Sequence, residues 1–262
     1  MVAMSAASCI CEGEILDEIS HKCDNNDPEP MPATAVVFYQ EKPGDSSVVL
    51  WLRTLNDTNP KAFDKCRAAI SRLALLGHEL RRPEADYLRD DIYELRIRLG
   101  SVNYRLLYFF HGRTISVVAH GLTKESGVPA IDIKKAIARK VAFTADPASH
   151  TFKGESTMPK KTTTDANKIL ADFAGRDAKR QQAFEEAVAN REVAQRIYEL
   201  REQAGLSQTE LAKRVGTTQS VISRLEDADY EGHSLAMLNR IAAAVERRVD
   251  IRFLPRRRLQ PA

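Results

Sequence analysis

Apolar and polar positions change period several times along the first half of the chain. Residues 35–39, AVVFY, are β-branched and aromatic and predict a strand. A short helix is predicted over 47–55. Asn59 before Pro60 then supplies an N-cap and a proline at the first helical position. Ala62, Cys66, Ala69, Ile70, Leu73 and Leu76 recur at helical spacing up to Gly77. Strand-like segments follow at 92–99, 104–110 and 114–122. Gly100–Ser101 and His111–Gly112 separate them, which predicts an antiparallel meander. In the first, Tyr93, Leu95, Ile97 and Leu99 alternate with Glu94, Arg96 and Arg98, so one face is apolar and the other presents two arginines. Pro129 opens a helix through about 143, with Ile133, Ala136 and Ile137 at helical spacing. A strand, two helices, three strands and a helix make a small α+β domain over 33–144.

Residues 145–164 are small, polar and basic and read as a linker. From 165 to 262 the pattern is helical almost to the end, closing with VDIRFL at 249–254, a short alternating strand. Apolar residues at helical spacing over 165–200 can either meet the first domain or extend the second. Ahead of everything stands an acidic, proline-rich leader, 1–32, expected to be disordered. Met31 and Met158 each precede a proline, as though each half began a gene product of its own.

The most specific motif is LSQTELAKRVGTTQSVISRLE at 206–226. Ser207 and Glu210 form a capping box, and Gly216 supplies the positive φ of a tight turn. Thr217 or Thr218 caps a second helix. Its Val221, Ile222 and Leu225 pack inward while Gln219, Ser220, Ser223 and Arg224 point away. This pattern resembles the helix-turn-helix of lambdoid phage repressors and the wider XRE family. The resemblance implies that the second helix enters the major groove of operator DNA, with Gln219, Ser220 and Arg224 at base edges. Gln208 and Thr218 would contact phosphates, and Arg201 with Glu226 would form a buried pair tying the first helix to the recognition helix. Such domains bind as homodimers. The plainer alternative is a helical hairpin with a polar surface.

Charge sharpens this picture only a little. Residues 1–30 carry one lysine against seven acidic residues, whereas 31–150 and 151–262 carry net charges of +5 and +4. Two mildly basic bodies suit polyanionic partners. Cys9, Cys11, Cys23 and His21 match no ordinary zinc spacing, so no metal and no cofactor are expected. No secretory signal and no membrane span are visible, which points to the cytoplasm.

In the first domain, IYELRIRLGSVNYRLLYFF at 92–110, ISVVAHGLTK at 115–124 and the helix after Pro129 resemble the RelE/HigB superfamily of ribosome-dependent mRNA endoribonucleases. Genes for HigB-type toxins lie beside those for XRE-type HigA antitoxins, which strengthens the pairing. The resemblance implies a metal-free cleavage of mRNA on the ribosome. A 2′-hydroxyl attacks the adjacent phosphorus while the protein moves two protons and stabilises a phosphorane. Arg96 and Arg105 on neighbouring strands suit the phosphate, and His120 is the candidate acid or base. Lys124 could assist the phosphate, Arg98 could bind RNA, and Tyr93 or Tyr108 could stack on a base. Where HigB relatives carry a more basic stretch, this chain has TKES at 123–126.

Three readings follow. One is a toxin–antitoxin fusion, natural or engineered, in which the antitoxin half represses DNA and neutralises the toxin half. Another is a non-enzymatic regulator whose toxin-like half serves only for interaction. The third is a chain joined by readthrough or in annotation, with Met31 and Met158 the starts of two proteins.

Overall fold

The computed structural model describes residues 34–124, 127–157 and 160–252, with backbone alone at 124, 155–157 and 160–161. The acidic leader, its three cysteines and His21, Met31, and Met158 in the expected linker lie outside the described residues.

The first half is built on strands β1 (Ala35–Phe38), β2 (Ala85–Arg89), β3 (Ile92–Leu99), β4 (Val102–His111) and β5 (Ile115–Lys124). They form one sheet in the order β1-β5-β4-β3-β2, parallel at β1–β5 and antiparallel elsewhere. Helices α1 (Ser47–Thr58) and α2 (Pro60–Leu76) precede the meander, and α3 (Ala130–Ala145) follows it. Asn59 accepts from Ala62 N and starts α2 behind Pro60, as its sequence predicts.

Apolar residues divide between the two sheet faces. Leu95, Ile97, Leu106, Tyr108 and Val118 meet α1 and α2 on one side. Ile92, Leu107, Phe109, Val117 and Ala119 meet Ala136 and Phe143 of α3 on the other. β4 is apolar at consecutive positions for this reason, since helices cover both of its faces.

β2 is absent from the sequence expectation. It is polar and short, and its hairpin to β3 turns on Asp90 and Asp91, both at positive φ (52° and 57°), without the glycine that usually marks such a turn.

The expected linker is largely built into the fold. It holds α4 (Pro147–His150) and a hairpin of β6 (Gly154–Thr157) with β7 (Lys160–Thr163). Phe152 lies in the main core, and its N–H donates to Phe38 O at 2.9 Å. Besides this buried aromatic, His150 stacks on Tyr39 and Gln40 bonds to the backbone of Ser149 and His150, contacts that composition does not reveal.

Helix α5 (Ala166–Ala174), expected with the second domain, inserts Ala166, Ile169 and Leu170 into the core of the first. The 26-residue α6 (Ala178–Gln203) then runs from one half to the other. Its start lies along α2, where Arg180 chelates Asp64 and Arg67 sits over Phe184; its end supplies Ile197 to the second core.

Helices α7 (Gln208–Val215), α8 (Gln219–Leu225) and α9 (Leu235–Ala244) complete that core around Leu211, Val215, Ile222 and Ile241. The expected C-terminal strand is not formed at 249–252, where no neighbouring strand edge pairs with it and Ile251 is exposed; Phe253 and Leu254 lie outside the described residues. The fold class is α+β, as expected.

Candidate nucleic-acid interface and the contact between the halves

Local chemistry sets the geometry of α7 and α8. The Ser207 hydroxyl accepts from Glu210 N, and the Glu210 carboxylate accepts from Ser207 N at 2.7 Å. Gly216 ends α7 in the left-handed region (φ 71°, ψ 46°), and Thr218 is the N-cap residue of α8. Thr218 makes no side-chain cap bond; its hydroxyl lies 3.0 Å from that of Ser220.

Buried Arg201 holds Glu226 through Nε at 2.6 Å and Nη2 at 3.0 Å, fixing α6 to the end of α8. Glu226 also accepts from Gln208, which in turn accepts from Gln219 at 2.6 Å. Thr218, Gln219, Ser220, Ser223 and Arg224 are exposed, with Thr217 and Gln208 half-buried. The candidate base-reading residues thus form one open face, held from behind by a satisfied polar chain.

On the first half, Arg96 and Arg105 are expected on neighbouring strands, and the β3–β4 register sets them directly opposite each other. Both guanidiniums turn to Glu94: Arg105 Nε lies 3.1 Å and Arg96 Nε 3.4 Å from its carboxylate. Glu94 and Arg105 are buried, and burial pushes the Glu94 carboxyl up against the pull of the two arginines. The sequence predicts arginines free for a phosphate; the fold instead sets the Glu94 carboxylate against both.

His120 belongs to a second cluster. Its Nε2 lies 3.1 Å from Asp132 Oδ1 and its Nδ1 3.0 Å from Arg139 Nη1. Arginine only donates, so Nδ1 accepts and the proton of the neutral ring sits on Nε2, toward Asp132. Burial and the Arg139 cation hold the imidazole below its usual range, and Asp132 offsets them in part. A substrate proton reaches His120 only if one of these contacts opens.

Tyr93 lies on the opposite face from Arg96, stacked on Tyr108 and edge-on to Tyr87 and Phe110. Tyr108 is fully buried. The side chain of Lys124 lies outside the described residues, though its backbone pairs with Asn103 at the end of β5. Among the described residues, no group of three or more His, Cys, Asp and Glu is placed to hold a metal ion. No described helix is long and apolar enough to cross a membrane.

Residues 51–141 match the family described as Phage derived protein Gp49-like (DUF891), and residues 197–246 match the helix-turn-helix family. The chain joins a Gp49-like, RelE/HigB-like domain to an XRE-type helix-turn-helix domain. No curated protein matches it.

The loop that follows α8 fastens the helix-turn-helix to the Gp49-like half. The Asp229 carboxylate is buried, and it accepts from Arg191 Nη2 and from the backbone N of Arg98, each at 2.6 Å. Lys65 lies 3.6 Å from Asp229 and 3.0 Å from Glu231. Asp227 faces Arg98 at 3.6 Å. Arg191, on α6, is fully buried, and it also lies 3.6 Å from Glu84, itself chelated by Arg72.

An ionic chain therefore runs Arg72–Glu84–Arg191–Asp229–Lys65–Glu231 across both halves. The alternating acids Asp227, Asp229 and Glu231 were visible in the sequence as a signal just past the motif. Arg191 had no signal, being one cation on a helix that is polar on nearly every side.

Proposed function

We propose that this chain is an operator-binding autorepressor whose helical half also holds its Gp49-like half in a restrained state. One observation carries the reading. The recognition face of α8 is open, while the loop leaving the same helix sets Asp227 and Asp229 against the arginine-bearing strand β3. DNA reading and restraint of the Gp49-like half are then properties of two adjacent surfaces. Gln219, Ser220, Ser223 and Arg224 read bases, and Gln208, Thr217 and Thr218 flank them at phosphates. Binding as a homodimer to half-sites about one helical turn apart completes the repressor. The proposed location, in keeping with a DNA ligand, is the cytoplasm.

For the Gp49-like half the proposed latent activity is cleavage of mRNA on the ribosome. Arg96 and Arg105 stabilise the phosphorane once RNA phosphate displaces Glu94, Lys124 assists, and His120 moves the proton. Arg98 and Tyr93 would contact the RNA. The non-enzymatic reading has its own support, because Glu94 occupies both arginines and both nitrogens of His120 are engaged.

Expressing residues 31–176, which retain the α5 that completes the core, separates the two readings. Growth arrest with mRNA cleavage, relieved by Arg96→Ala or His120→Ala, supports the endoribonuclease. Harmless expression of the folded fragment leaves only the interaction role. A single intact species of full mass in cells disposes of the two-protein reading.

A further inference from the structure

Between the halves lies an open cavity of about 310 Å³, lined on one side by Arg82, Arg96 and Arg98 and on the other by Gln208 and Ser223. We propose that Arg82 and Arg98, on the Gp49-like half, clamp the phosphate backbone of the DNA duplex seated on the helix-turn-helix. The inference rests on the DNA-binding reading of α8 and extends the binding site onto the other domain.

The major groove is about 12 Å wide and a helix with its side chains about 10–12 Å across, so a seated recognition helix fills the groove. Whatever rims the flank of that helix then meets the phosphate walls. Ser223 places the cavity at the flank of α8, and Gln208 places it at the start of α7.

The charges there favour attraction. Arg82 and Arg98 have side chains 59% and 57% exposed, whereas the carboxylates of Glu226, Asp229 and Glu94 are buried against Arg201, Arg191 and Arg105. Asp86 competes for Arg82, and Asp227 and the Gly100 carbonyl, which accepts from Arg98 Nε at 2.9 Å, compete for Arg98, yet each arginine stays solvent-exposed. Such pairs contribute little, so two phosphate oxygens in the planar guanidinium fork displace them. A duplex held in this way also covers Arg96.

The test uses the intact chain and a duplex of about 30 base pairs selected by it from a random pool. Affinity is measured against salt for the wild type, Arg82→Gln with Arg98→Gln, Arg82→Glu alone, and Lys168→Gln as an exposed charge control. The double variant is expected to bind about tenfold more weakly, on selected and scrambled duplexes alike, with a salt slope shallower by about two. Arg82→Glu reverses one exposed charge whose ion pair is with Asp86 of the same half, and is expected to weaken binding with the melting temperature unchanged. Lys168→Gln is expected to leave both quantities unchanged.

Unaltered affinity and slope in Arg82→Glu overturn the proposal. Tighter binding overturns it too, by making the Gp49-like half an obstacle to the duplex. Gln219→Ala with Arg224→Ala reports separately on the underlying reading: if selected and scrambled duplexes are still told apart, α8 is not the reader.

Discussion

Arg191 and Asp229 are tightly constrained charges. Each is buried, each has its main partner in the other, and each reaches a residue of the Gp49-like half. A buried ion pair contributes little net stability compared with apolar residues of the same volume, but removing one partner strands the other charge. Arg191→Ala is therefore expected to cost about 3–5 kcal/mol, read as a lower urea midpoint. His120 carries a pH dependence of definite sign. Its folded pKa is depressed below the unfolded 6.5, so the unfolded chain binds the proton more tightly. Its contribution to stability is full above pH 6.5 and is lost as pH falls through and below that value. His120→Gln is expected to flatten that part of the curve of melting temperature against pH. No change in the curve would show that His120 is solvated.

At the scale of elements, the helix-turn-helix follows from local rules. The capping box, the glycine at φ 71° and the inward apolar set are chemical instructions readable one turn at a time. Gly216→Ala is expected to cost about 1–2 kcal/mol, the penalty of a Cβ in the left-handed region. Ser207→Ala is expected to cost about 1 kcal/mol through its lost cap. Both are read by thermal denaturation, and neither touches the exposed recognition residues. The strands of the meander were equally legible, because alternation fixes which side chains share a face. β2 and the described part of the linker were not: β2 is short and polar and turns on Asp90–Asp91 without a glycine, and Phe152 takes its place through contact with β1, far back in the chain.

For the whole molecule, the arrangement of the halves turns two domains into one device. The loop after α8 binds the Gp49-like half through Asp227, Asp229 and Glu231, and α5 completes that half's core. In the intact chain, Asp229→Ala with Asp227→Ala is expected to loosen this contact. Faster amide exchange in the backbone of β3 around Arg98 would show it, and unchanged exchange would mean that α5 and α6 suffice. By itself the sequence determined the α+β class, the meander with Arg96 and Arg105 on neighbouring strands, and the helix-turn-helix. Those depend on periodicity, turn chemistry and caps, which act over a few residues. Only the tertiary structure decided that Glu94 lies between the two arginines, that both nitrogens of His120 are engaged, and that Arg191 joins the halves. A carboxylate's partner is set by which distant surfaces meet, and no local pattern encodes that.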